Sequence, residues 1–112
     1  TMLSSLDFDV SMIEHVYVAG GIGSGINMRN AVNIGMFPDI SLEKFHYIGN
    51  SSLTGAYLML LSTPAEKKTY ELASNMTYME LSAVPTYMDE FVGACFLPHT
   101  DTTLFPDVHI KA

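Results

Sequence analysis

The apolar run Val16-Tyr17-Val18 enters a cluster in which Gly20, Gly21, Gly23 and Gly25 fall within six positions. Valine and tyrosine side chains suit a buried strand. Glycines crowded behind a strand permit a turn with positive φ and let backbone N–H groups come close to a ligand. Asn27 is a plausible N-cap for the helix-compatible segment that follows. A strand, a glycine turn and a helix N-terminus together make an anion site, because free N–H groups and the helix dipole point the same way. A tight strand-to-helix connection with no ligand is the alternative at this point.

The chain has 112 residues, enough for one small domain with a modest core. Its residues are 48% hydrophobic and 15% charged, so one face is expected to meet a partner or missing chain. A net charge of −7 argues against non-specific nucleic-acid binding, and Arg29, Lys44, Lys67, Lys68 and Lys111 form no basic patch. Cys95 is the single cysteine, so no disulfide, zinc cluster or iron–sulfur site can be assembled within the chain. A reducing, cytoplasmic setting follows as the expectation. No signal peptide is visible and no apolar run reaches about 18 residues, so no membrane association is expected. The sequons at Asn50 and Asn75 are read as chance matches.

Taken in order, residues 1–6 resemble the last turn of a helix, and Asp7-Phe8-Asp9 a turn. Residues 27–34 read as a short helix with Ala31 and Ile34 inward, stopped by Gly35 and Pro38. Residues 44–48 read as a second strand ending at Gly49-Asn50. Ser51 or Ser52 then caps a helix over residues 53–61 whose all-round apolarity predicts burial on several sides. Small residues at Gly55 and Ala56 allow a close approach there, by a packing helix or by a ligand ring. Thr63-Pro64-Ala65-Glu66 reads as an N-cap, a first-turn proline and a capping box. That helix runs to Ser74 and stops at Asn75. Residues 77–81 alternate and read as a third strand near an edge. Residues 86–96 read as a last helix with Phe91, Val92, Cys95 and Phe96 inward, broken by Pro98. The expected class is α/β: a small sheet of about three or more strands covered by helices.

The familiar owners of a glycine turn are excluded by spacing. G-x-G-x-x-G counted from Gly21 requires a third glycine where Ile26 stands. The phosphate loop G-x-x-x-x-G-K-[ST] lacks its lysine. His15, His46, His99 and His109 show no metal-ligand spacing, although His15 and His46 fall on adjacent strands. His99 and Asp101 are read as a structural hydrogen bond. Ser51 and Ser52 look like helix caps rather than nucleophiles. No catalytic residue and no metal ligand is assigned.

The ordered set of segments does have a likeness. Residues 16–24 resemble the adenosine segment of the actin, sugar kinase and Hsp70 superfamily: apolar strand, Gly-Gly, helix. Almost the whole chain resembles the C-terminal part of the actin-like ATPase domain in reductive activators of corrinoid proteins, a family often fused to a ferredoxin module. The likeness is carried by Ala19-Gly20-Gly21-Ile22-Gly23-Ser24, by residues 30–40, by residues 48–56, and then by Tyr78-Met79-Glu80-Leu81-Ser82, Met88-Asp89-Glu90-Phe91 and residues 96–101. The resemblance implies an RNase-H-like lobe and ATP, with Mg²⁺ in the full protein, as the ligand. It implies that Gly20, Gly21, Ile22, Gly23 and Ser24 meet the phosphate–ribose side. Gly49, Asn50 and Ser51 would lie near the base. It further implies a corrinoid protein as client, reduced from Co(II) to Co(I), and a [2Fe–2S] centre in an N-terminal module. The superfamily's phosphate loops and the ferredoxin cysteines are not in this chain. On that basis residues 1–112 are expected to be a single C-terminal subdomain of a longer ATPase, inactive alone, with the rest of that domain as its first partner. Two alternatives stand beside it: a non-catalytic α/β module whose apolar faces form a homodimer, and an actin-like ATPase piece serving another redox client.

Overall fold

The computed structural model describes residues 1–109. Two strands, β1 (Val16–Ala19) and β2 (Phe45–Gly49), form a parallel pair. Both are rich in β-branched and aromatic side chains, which fit a pleated, half-buried surface. Parallel neighbours need a long crossover, and residues 20–44 supply it. The register pairs Val16 with Phe45, Tyr17 with His46 and Val18 with Tyr47. It then slips, so that Ala19 faces Gly49 and Ile48 is the extra residue.

The crossover carries α1 (Met28–Asn33), whose N-cap Asn27 accepts from the Asn30 amide at 3.0 Å. Its end is closed by a Schellman pattern: Met36 N–H donates to the Ala31 carbonyl and Gly35 N–H to that of Val32, each at 2.9 Å. Gly35 takes φ 76°, and a Cβ there would lie 2.2 Å from the Pro98 carbonyl oxygen. The glycine is thus required twice, by its torsion and by the loop packed on it. Ala31 and Val32 are buried, whereas Ile34, expected inward, is half exposed because it has already left the helix as its C-cap.

A single residue, Ser62, links α2 (Ser51–Leu61) to α3 (Thr63–Ser74). Asn50, not Ser51 or Ser52, caps α2, accepting from Leu53 N–H at 3.0 Å. The sharp turn at Gly49, φ 65°, delivers the chain straight into the helix one residue early. Ser62, not Thr63, caps α3 through the Ala65 amide at 3.3 Å. Pro64 therefore occupies the second helical position and Glu66 falls one residue too late for a capping box. Asn75 ends α3 as expected. An ion pair on it, Lys68 with Glu71 at 3.6 Å, is solvent-exposed and contributes little.

The third strand does not form. Residues 77–80 are irregular and Leu81–Ala83 is a 3-10 turn. Glu80 gathers the Tyr78 hydroxyl, the Ser82 hydroxyl and the Ser82 amide on its carboxylate, which folds the segment back on itself. Those bonds, the Ser82 hydroxyl first, hold the Glu80 carboxyl below its ordinary value, and the carboxylate pushes the Tyr78 phenol up. The last helix, α4 (Tyr87–Gly93), is shorter than residues 86–96. The following loop folds back on its end: Thr100 N–H reaches the Gly93 carbonyl at 3.1 Å, and the His99 ring fills the space a Gly93 side chain would need. Phe91, Val92, Cys95 and Phe96 are exposed rather than inward.

The core is small. Val18, Ala31 and Val32 are the buried hydrophobic residues among those described. The radius of gyration is 17.1 Å, against about 13 Å for a compact domain of roughly 100 residues. Helix α2 shows why. Its half-buried stripe is Ser51, Gly55 and Met59, while Leu53, Tyr57, Leu60 and Leu61 face outward. Leu60 is 85% exposed. The expected burial of α2 on several sides is not supplied by the described residues. The α/β class holds, and the described sheet has two strands, paired in parallel, rather than three or more.

Candidate functional site

Because β1 and β2 are parallel, the turns that follow them open at the same edge of the sheet. Ligands of open α/β sheets bind outside the carboxyl ends of strands, and the sequence-predicted residues divide between these two turns. Gly20 N–H donates to the Gly49 carbonyl at 2.8 Å, so the turns are tied directly. Gly20 adopts φ 85°, ψ −175°, a region open to glycine alone. The chain then closes a 3-10 turn, Gly21–Ser24. The amides of Gly21 and Ile22 open that turn, where no acceptor within it precedes them. Gly21, Ile22 and Ser24 are exposed and Gly23 is half-buried. A Cβ on Gly20, Gly21 or Gly49 would meet nothing within 4 Å, so the edge is open space. Ser24 donates its hydroxyl back to the Gly21 carbonyl at 2.8 Å, which holds the turn closed.

On the second turn, Asn50 spends its side-chain oxygen on the α2 cap, and Thr54 donates its hydroxyl to the Asn50 carbonyl at 3.1 Å. Ser51 opens α2 and is half-buried. A Cβ on Gly55 would also meet nothing within 4 Å, so the packing that its small size permits is not made by the described residues. Sequence reasoning missed Tyr47. Its hydroxyl donates to the Gly20 carbonyl at 3.1 Å, and its ring occupies the place of a Gly23 side chain. No signal within β2 pointed to it, because the parallel register is what sets Tyr47 beside Val18 and hence under the turn.

The other candidates lie elsewhere. His15 and His46 do meet, Nδ1 to Nε2 at 2.9 Å, with the Tyr17 ring tilted against both. His99 accepts the Asp101 amide at 3.0 Å, a backbone contact rather than a side-chain pair. A cavity of ≈ 410 Å³ lies at the opposite end of β2, lined by Asp9, Ser11, Asp39, Lys44 and Leu104 among others. Several of its polar groups are already hydrogen-bonded: Lys44 donates to the Ile13 carbonyl at 2.6 Å, Asp9 accepts the Ser11 amide and Asp39 the Asp107 amide. Among the described residues no helix is long and apolar enough to cross a membrane.

A parallel strand pair with its helices and two glycine turns at one strand edge defines a protein of the α/β class, and the comparisons narrow it. Residues 1–109 match the family described as the C-terminal domain of RACo, the ASKHA domain, and the chain belongs to that family. The corrinoid activation enzyme RamQ of Eubacterium limosum is 32% identical over 82 residues, 73% of this chain and 14% of that protein. A solved reductive activator for corrinoid, iron-sulfur protein superposes with TM-score 0.89 at 50% identity, covering 96% of this chain and 17% of that one. The fold is therefore that of an actin-like domain. The matched region spans 14% and 17% of the length of these two relatives.

Proposed function

We propose that this chain supplies the adenosine-facing wall of an ATP site in a reductive activator acting on a corrinoid protein. The observation that carries the reading is the shared open edge: Gly20–Ser24 and Gly49–Ser51 meet through the Gly20–Gly49 bond, with unhindered glycines on both sides. Exposed amides at Gly21 and Ile22 suit phosphate oxygens. Ser24 and the carboxamide nitrogen of Asn50 suit ribose and base. When bound, ATP would supply the driving force for reduction of the client. This chain's own part is to hold and orient the nucleotide. Cys95 is one cysteine where an iron–sulfur cluster takes four ligands, so the electron donor belongs elsewhere in the activator. The outward stripe of α2, Leu53, Tyr57, Leu60 and Leu61, is the surface against which the rest of the ATPase domain would pack. That surface also suits the alternative of a homodimer.

Titration of ¹⁵N-labelled chain with ATP tests the reading. One wall of a cleft predicts weak binding, near millimolar, with amide shifts confined to residues 20–24 and 49–51. Tight binding in calorimetry, shifts centred on the Asp9–Lys44 cavity, or no shift at all would each refute it.

A further inference from the structure

We propose that Tyr47 is a positioning residue that aims the Gly21 amide out of the glycine turn toward a phosphate oxygen; the ligand in this statement rests on the ATP-site reading above. The geometry is a chain of three contacts. Tyr47 donates its hydroxyl to the Gly20 carbonyl at 3.1 Å. That carbonyl and the Gly21 N–H belong to one planar trans peptide unit and point in opposite directions. Holding the carbonyl on Tyr47 therefore turns the Gly21 N–H away from the strand pair, to the open side. Gly20 cannot absorb a rotation on its other side, because its own N–H is bound to the Gly49 carbonyl at 2.8 Å. The glycine torsions that remain free in such a turn are thus fixed from both ends.

The ring has its own seat. A Cβ on Gly23 would lie 2.2 Å from Tyr47 Cδ2 and 3.1 Å from Val18 Cγ1. Gly23 is consequently the notch that admits the ring, and only with the ring in it does the hydroxyl reach Gly20. Gly20 is needed for its torsion, Gly21 for its exposed donor and Gly23 for the tyrosine. This gives each glycine a separate role within one device, and brings a strand residue into the site from beneath.

The experiment compares amide spectra and ATP titrations of the full chain with those of Tyr47→Phe and Gly23→Ala. Tyr47→Phe keeps the ring in its notch and removes one hydrogen bond. The Gly21 amide resonance is expected to move while the Gly20 amide, still bound to Gly49, and the β1 amides keep theirs. The lost internal bond is expected to lower the melting temperature by only about 2–6 °C, and ATP affinity is expected to fall by up to about fivefold. Gly23→Ala expels the ring and is expected to move the Gly21 resonance in the same direction. A folded Tyr47→Phe protein with the Gly21 resonance and the ATP response of the parent overturns the proposal. So does a general loss of stability with all strand resonances moving together, which marks an ordinary packing contact. If the parent itself shows no ATP response, the ligand reading fails, and the Gly21 resonance still decides whether Tyr47 sets the turn.

Discussion

Replacing Gly20 and Gly21 one at a time by alanine separates the backbone's need for glycine from the ligand's. Gly20 sits at φ 85°, ψ −175°, and a Cβ on it would touch nothing within 4 Å. The cost of Gly20→Ala is then torsional alone, about 1–3 kcal/mol for a non-glycine residue held in such a region. At roughly 4 °C per kcal/mol for a chain near this size, the melting temperature should fall by about 4–12 °C. Gly21 has ordinary torsions and equally open space. Alanine there removes unfolded-state freedom without strain, so stability should stay level or rise by about 0.4–1 kcal/mol. The new methyl nevertheless stands beside the exposed amide, and ATP-dependent shifts at residues 20–24 should shrink. Thermal melts followed by circular dichroism read the first effect and the NMR titration reads the second. Equal destabilisation by the two substitutions refutes the torsional argument. An undiminished ATP response in Gly21→Ala refutes the assignment of the open edge to the nucleotide.

Gly35→Ala combines a positive φ with a methyl 2.2 Å from the Pro98 carbonyl oxygen, so urea unfolding should show a loss of about 3 kcal/mol or more. Asn50→Ala removes the α2 cap and should cost about 1 kcal/mol, whereas Ser51→Ala should be nearly silent, since the Leu53 amide binds Asn50. Ser82→Ala should raise the titration of Glu80 toward its ordinary 4.5, because the Ser82 hydroxyl is the main cause of its lowering. A carboxylate lowered by folding contributes above its unfolded value and is lost as pH falls through the folded one. The Glu80 turn should therefore hold until the pH has fallen below the ordinary glutamate value of 4.5; a Ser82 amide resonance that follows an ordinary glutamate titration in the parent would contradict this.

Local rules carried most of the element boundaries. The two strands, Asn27 as a cap, Gly35 as a stop and Asn75 as a stop all depend on residues within a few positions, and they appear where the sequence puts them. The misses share one cause, competition decided by a neighbour. Ser62 takes the cap from Thr63 because it also ends α2, and Asn50 takes it from the serines because Gly49 has already turned the chain. Glu80 is a stronger local magnet for hydrogen bonds than a lone edge strand is for a sheet, so residues 77–81 curl instead of pairing. Which face of a helix is buried was not legible at all. Periodicity identifies apolar positions on α2 and α4, but the described residues bury neither Leu60 nor Phe91.

The glycine cluster was legible as a turn and not as a device. Composition could not assign separate work to Gly20, Gly21 and Gly23, because the differences lie in a torsion, an exposed donor and a ring brought by β2. What settles their division of labour is the parallel register, which sets Tyr47 beside Val18 and then slips by one residue so that Gly49 faces Ala19. Without the slip, Ile48 would stand opposite Ala19, and Gly49 would lie one residue further along. The extra residue in β2 is therefore what joins the two turns into one edge. A family likeness read from Gly-Gly alone would have missed it, since neither strand's sequence states where its partner changes step.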